Sequence, residues 1–140
     1  MNSDSQKYDF EVRIPVRDYE IDVQGIVNNA NYLHYMEHTR HLFCRAMGFS
    51  FAEMHAAGID PVLREVKVEY LTPLTSGQEM ISRLNMRRRG PRFVFQQDIF
   101  RAGDEAPVTR AEVTVVCLEN GRLSRGDILA EKFSKVLDKE

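Results

Sequence analysis

The chain has 140 residues, 43% of them hydrophobic and 29% charged, enough for one hydrophobic core and too short for a second enzyme domain. That composition excludes a disordered or fibrous protein, and 19 basic against 21 acidic residues, a net charge of −2, exclude a surface built for nucleic acid. Two cysteines are too few for a disulfide framework, and no run of about 18 apolar residues is present to span a membrane, so the expectation is one cytosolic domain over residues 1–140.

Between Tyr8 and Arg17, the residues Phe10, Val12, Ile14 and Val16 alternate with polar ones, the period of a strand with one buried face, and Pro15 marks an edge or bulge. From Asn29 to Met47 the period changes to a helix. Tyr32, Met36, Thr39, Phe43, Ala46 and Met47 form its apolar stripe, with Tyr35 and Leu42 at the margin. Asn28, Asn29 and Asn31 supply N-caps and Gly48 a stop, after which Ser50 and Glu53 read as the capping box of a short helix ending at Gly58. Four strands follow, built around Val62–Tyr70, Met80–Met86, Phe93–Ile99 and Thr109–Leu118, and Asn120-Gly121 predicts a turn into a short return strand. The apolar spacing after Asp127 predicts a terminal helix.

One strand, one long helix and a run of antiparallel strands make an α+β pattern. A sheet of about five strands covered by one main helix leaves a face or an edge available, which predicts self-association. The stretch with the most chemistry lies between the first strand and the helix, where Asp18, Glu20 and Asp22 precede Gly25 and the amides Asn28, Asn29 and Asn31. These carboxylates read in two ways. They are either solvated charges near a helix N-terminus, or part of a site in which helix N–H groups bind a carbonyl oxygen gaining charge while a carboxylate attacks or activates water.

The run Asp22-x-x-Gly25-Ile26-Val27-Asn28-Asn29-Ala30-Asn31-Tyr32, followed by Tyr35, Glu37 and Arg40, resembles the signature of the hotdog-fold thioesterases of the 4-hydroxybenzoyl-CoA thioesterase type. Tyr70-Leu71-Thr72-Pro73-Leu74-Thr75-Ser76-Gly77 is similar to that family's strand-to-turn segment, and the likeness covers roughly residues 8 to 120. The resemblance implies a hotdog fold, an antiparallel sheet wrapped around a long central helix, assembled as a homodimer or a dimer of dimers with its sites between subunits. It implies hydrolysis of an acyl-CoA or acyl-carrier-protein thioester without a metal or other cofactor. Asp22 stands at the position of the family's catalytic carboxylate and Asn29 at that of the backbone N–H that polarises the thioester carbonyl. Gly25, Val27, Asn28, Tyr32 and Glu37 fall in the same segment and are expected to line the substrate site. Many members carry a histidine where Ile26 stands, and another branch has one in place of Asn29; this chain has neither. A non-catalytic hotdog protein, either acyl-thioester-binding or structural, is therefore the alternative.

Two further motifs compete for attention. His34-Tyr35-Met36-Glu37-His38 spells a zinc-peptidase pattern, but His34, His38 and His41 lie opposite the apolar stripe, on the expected solvent face of the helix. The basic run Arg87, Arg88, Arg89 and Arg92 reads either as a solvated turn or as an anion site, and with the family likeness as a place for the phosphates of a phosphopantetheine-linked donor. Cys44 and Cys117 read as small buried hydrophobes.

Overall fold

The computed structural model describes residues 7–137. The period-two alternation becomes an antiparallel sheet of six strands: β1 (Phe10–Pro15), β2 (Ile59–Tyr70), β3 (Glu79–Arg89), β4 (Arg92–Arg101), β5 (Pro107–Glu119) and the short β6 (Arg122–Leu123). They lie in the order β1-β3-β4-β5-β2, with β6 added to β5. β1 and β2 are thus the two edges, and both carry a proline. Pro15 ends β1 and Pro61 sits inside β2, positions where a missing N–H donor costs the sheet no internal hydrogen bond. β2 also changes register between Leu63 and Glu65, a bulge that bends the edge.

The helix expected from Asn29 to Met47 runs Asn29–Ala46 (α1). Tyr32, Met36, Thr39 and Phe43 are buried as the stripe requires, and Tyr35 at its margin is buried with them. At the C-terminal end Ala46, expected in the stripe, is exposed, while Cys44 is fully buried as expected. There the tail fills the core, with the Phe133 ring stacked on Phe43 at 5.5 Å and edge-on to Phe49 at 5.0 Å. The short helix α2 (Phe51–Ala56) carries the expected capping box between Ser50 and Glu53. The terminal helix is divided at Phe133 into α3 (Asp127–Lys132) and α4 (Ser134–Leu137).

One face of the sheet packs on α1. Met80, Leu84 and Met86 of β3, Phe93, Phe95 and Ile99 of β4, and Ala111, Val113, Val115 and Cys117 of β5 join Tyr32, Met36 and Phe43 in a single core. Polar residues at this face pair across the helix–sheet boundary: Thr39 Oγ1, which donates to Tyr35 O at 2.8 Å within the helix, is hydrogen-bonded to Ser82 Oγ at 2.7 Å, and Gln97 Nε2 donates to Met36 O at 3.0 Å. These bonds set the height and rotation of the helix on the sheet, which apolar packing alone leaves loosely specified.

Gly126 seats the tail. It precedes α3 with φ +83°, and a Cβ there would come within 2.7 Å of the Phe93 ring. Gly126→Ala combines a left-handed backbone with a clash against a buried aromatic, so urea unfolding should show a loss of about 1–3 kcal/mol. A change below a few tenths would mean that the tail is not part of the cooperative core.

Candidate active site

The chain leaving β1 enters a 3-10 turn, Asp18–Glu20, and then a tight loop closed by an isolated bridge between Ile21 and Val27. Asp22 N donates to Ile26 O at 2.9 Å and Gly25 N donates to Asp22 O at 3.0 Å. Gly25 turns this loop at φ +82°, and since nothing lies near its missing Cβ, the backbone angle is what demands glycine. The Asp22 carboxylate is half-buried, with Oδ1 accepting from Gln24 N at 2.8 Å.

Glu20 holds this loop to the helix. It is only 5% exposed, and its carboxylate accepts from Arg17 N at 2.9 Å, from Arg17 Nη2 at 2.6 Å and from the Tyr35 hydroxyl at 2.7 Å. Its carbonyl oxygen accepts from Asn28 N at 3.1 Å and from Asn31 Nδ2 at 3.0 Å. Burial pushes the Glu20 carboxyl up, but the Arg17 and Tyr35 hydrogen bonds outweigh it and hold the group below its usual value. Burial, helped by the bond to Glu20, raises the Tyr35 phenol, so Tyr35 stays protonated and donates.

The first turn of α1 presents four backbone N–H groups with no acceptor inside the helix. Asn28 N is taken by Glu20 O, Ala30 N by the Asn28 side chain at 2.9 Å, and Asn31 N by Asn28 O at 2.9 Å. Among the described residues Asn29 N–H is the one left without an acceptor. Asn29 lines a cleft of about 210 Å³ together with Val27, Tyr32, Tyr70, Pro73 and Val108. Tyr70 OH donates to Asn29 O at 3.3 Å, Tyr32 OH accepts from Leu74 N at 3.3 Å, and the two rings meet edge-on at 5.7 Å. The cleft therefore has aromatic walls and an unspent donor at the positive end of an 18-residue helix, an arrangement suited to an oxygen gaining negative charge.

The structure brings Val27, Asn29 and Tyr32 to this cleft, whereas Asp22, Gly25 and Asn28 stand in the adjoining loop and cap and do not line it. Glu37 lies on the exposed flank of α1, 3.7 Å from His41. The arginines expected to act as one group are divided by strand alternation. Arg88 turns to the helix side, donating to Asp127 Oδ1 at 2.7 Å, Arg125 O at 2.8 Å and Gly90 O at 2.7 Å, with its guanidinium over the Phe93 ring. Arg87 lies on the outer face, 3.4 Å from Glu112, and Arg89 and Arg92 are exposed partners across the Gly90-Pro91 turn. They occupy the opposite end of β3 from the Asp22 loop, ten residues or about 33 Å along an extended strand. His34, His38 and His41 are exposed, and among the described residues no three histidine, cysteine or carboxylate groups gather as a metal site would require. No helix among the described residues is long and apolar enough to cross a membrane. Sequence reading missed Glu20 as the anchor of the loop; the Arg17-x-x-Glu20 spacing and Tyr35 beside the apolar stripe were its only traces.

A family model described as "Thioesterase-like superfamily" matches residues 16–137. The chain is 34% identical over 111 residues to an Arabidopsis thaliana protein named "Acyl-acyl carrier protein thioesterase ATL2, chloroplastic", covering 79% of this chain and 59% of that relative. It thus spans under two-thirds of that protein's length. Against "Acyl-CoA thioester hydrolase YbgC" of Escherichia coli O6:H1 the identity is 33% over 111 residues, covering 76% of this chain and 81% of the relative. The crystal structure of "YbaW Probable Thioesterase" from Escherichia coli superposes with a TM-score of 0.81 at 25% identity, covering 91% of this chain and 98% of that one. The curled antiparallel sheet on one long helix is the hotdog fold.

Glu20→Gln keeps the shape but removes the charge that Arg17 and Tyr35 hydrogen-bond. Denaturant unfolding at neutral pH should show a loss of about 1.5–3 kcal/mol, the scale of a hydrogen bond to a charged group. Because the folded carboxyl titrates below the ordinary 4.5, its contribution is complete above that pH and is lost as pH falls through the lower folded value. The difference between wild type and Glu20→Gln should therefore shrink on acidification; a constant difference down to strongly acid pH would contradict the pairing.

Proposed function

The chain belongs to the thioesterase-like superfamily, and on that premise we propose that it is an enzyme hydrolysing an acyl thioester, carried by coenzyme A or an acyl-carrier protein, to the free acid and the thiol. The observation that carries this reading is the Asn29 N–H, the one unaccepted donor of the first turn, at the edge of an apolar cleft. A thioester carbonyl oxygen received there gains charge as the carbonyl carbon becomes tetrahedral, and the helix N-terminus favours that charge. Asp22 supplies the other half. As a general base it takes a proton from water while the hydroxyl adds to the carbonyl carbon; collapse breaks the C–S bond and the proton passes to the departing thiolate. As a nucleophile it attacks the carbonyl carbon and the C–S bond breaks to expel the thiolate, leaving a mixed anhydride; water then cleaves the anhydride to the free acid and the Asp22 carboxylate, and the proton released balances the one the thiolate takes up. No histidine stands at position 26 or 29 to share the proton, so the carboxylate carries this step.

The reading includes a homodimer or a dimer of dimers in the cytosol, with sites between subunits. The β2 edge supports it: Leu63 is 58% and Tyr70 46% exposed on the face that elsewhere meets the helix, a free margin for a second copy. The position of the arginines fits the same picture. Arg92, Val116 and Val62 lie in one row across β4, β5 and β2, two strand spacings or about 10 Å from that edge. Antiparallel pairing of two β2 edges would carry Arg89 and Arg92 of one copy toward the Tyr70 end of the other, where phosphates of a bound donor would enter.

Asp22→Asn should lower kcat by roughly 10²–10⁴-fold with little change in KM, followed by thiol release from a panel of acyl-CoAs. Near-normal turnover would remove Asp22 from the mechanism, and binding without turnover in the wild type would establish the non-catalytic alternative. Replacing Arg89 and Arg92 with Ala should chiefly raise KM for acyl-CoA and spare a short acyl thiol lacking the nucleotide, whereas Arg88→Ala should act on thermal stability through the tail. Light scattering at micromolar concentration should give at least a dimer; a monomer with full activity would overturn the shared site.

A further inference from the structure

A second groove, of about 530 Å³, lies between α1, α2 and the Asp60–Leu63 end of β2. Phe51, Leu63, Phe95 and Val115 make its walls apolar, and Arg40 stands among them. Arg40 is partly buried, and its Nη1 donates to Gln97 Oε1 at 2.7 Å. Gln97 is fully buried, and its other end is fixed by the bond to Met36 O, so the arginine is held in place by a rigid amide. The carboxylates at the rim have other partners: Asp60 is 2.6 Å from His55, and Glu37 is 3.7 Å from His41. Arg40 thus has one neutral acceptor for five N–H donors and no carboxylate bonded to it among the described residues. Burial depresses its pKa, with the charge of Glu37 opposing that, yet a guanidinium remains charged at neutral pH. A partly desolvated cation with spare donors in an apolar groove is an incomplete arrangement, and an oxygen acceptor on an otherwise apolar molecule completes it.

We propose that this groove binds the acyl group of the substrate and that Arg40 reads an oxo or carboxylate oxygen on it, so that the protein favours oxygen-bearing acyl thioesters over saturated chains of equal length. The proposal rests on the thioester reading for its substrate, although the binding it describes needs no turnover. Arg40 is eleven residues beyond Asn29, about 16 Å along the helix, so the groove is separate from the cleft at the helix start. It borders the free β2 edge, and in a dimer paired through that edge it opens beside the partner's cleft, where an acyl group leaving the reacting carbonyl would enter.

The test measures binding of non-hydrolysable thioether analogues of acyl-CoA by calorimetry, in three forms of one chain length: saturated, oxo-substituted and ω-carboxylated. Arg40→Met, which keeps the bulk and drops the charge, should weaken the oxygen-bearing analogues by roughly 10–100-fold, the worth of a charge-assisted hydrogen bond, and the saturated one by less than about twofold. Arg40→Lys should restore part of the loss. Whichever oxygen-bearing analogue loses more identifies the acceptor as oxo or carboxylate. Equal loss across the three analogues, or none, overturns the proposal. Should Arg40→Met fail to fold, Ala52→Trp on α2 narrows the groove from an exposed position off the β2 edge and should weaken all three analogues; unchanged binding would place the acyl group elsewhere. If wild type discriminates among the analogues through Arg40 yet hydrolyses none of the matching thioesters, the hydrolase reading fails while this site stands.

Discussion

A carboxylate that is 5% exposed cannot stay charged inside a protein without several donors, and Arg17 and Tyr35 supply them to Glu20 from two directions. Arg17 approaches from the end of β1 and Tyr35 from the second turn of α1, while the Glu20 carbonyl takes Asn28 N and Asn31 Nδ2 from the start of the helix. The charge thereby locks the exit of the first strand to the entry of the helix. Everything proposed for catalysis lies between those two points, so the relation of the Asp22 loop to the Asn29 N–H depends on this buried group.

The same economy of partners decides which donor of the first turn stays free. A helix start has four unpaired N–H groups, and leaving them all exposed would weaken the helix. Here the cap satisfies Asn28, Ala30 and Asn31 and leaves Asn29. The donor left over is the one proposed to meet the thioester carbonyl. Tyr32 and Tyr70 complete the arrangement, since each hydroxyl is hydrogen-bonded to backbone and each ring walls the cleft.

The sheet imposes a second division. Alternation along β3 sends Arg88 to the helix side, where Asp127 and the Phe93 ring take it up, and leaves Arg87 and Arg89 on the outer face. Side chains adjacent in sequence are therefore separated by the thickness of the sheet, and only the outer ones remain for an anion. The two edge strands differ as well. β1 is short and lies against β3, while β2 is long and bulged and carries exposed Leu63 and Tyr70, which makes it the edge where a second copy or a substrate has most to cover.

Much of the fold was legible in the sequence because its signals are local. Phe10 to Val16 and Thr109 to Leu118 alternate, the Tyr32-to-Phe43 stripe repeats at helical spacing, and Ser50 with Glu53 caps a helix in four residues; each pattern acts through neighbours along the chain. The Asp22-to-Tyr32 run likewise marks the loop and helix start, since their backbone geometry depends on Gly25 and the asparagine caps. What the sequence could not rank was set by contacts between distant segments. Asp18, Glu20 and Asp22 look alike on paper, and only the arrival of Tyr35 over Glu20 makes one of them a buried anchor. Arg40 looks like one more charge on a helix until Gln97, 57 residues away, rises from the sheet to hold it beside a groove. Burial and pairing are properties of three-dimensional neighbourhoods, so the chemistry of a charged side chain is decided when the chain closes on itself.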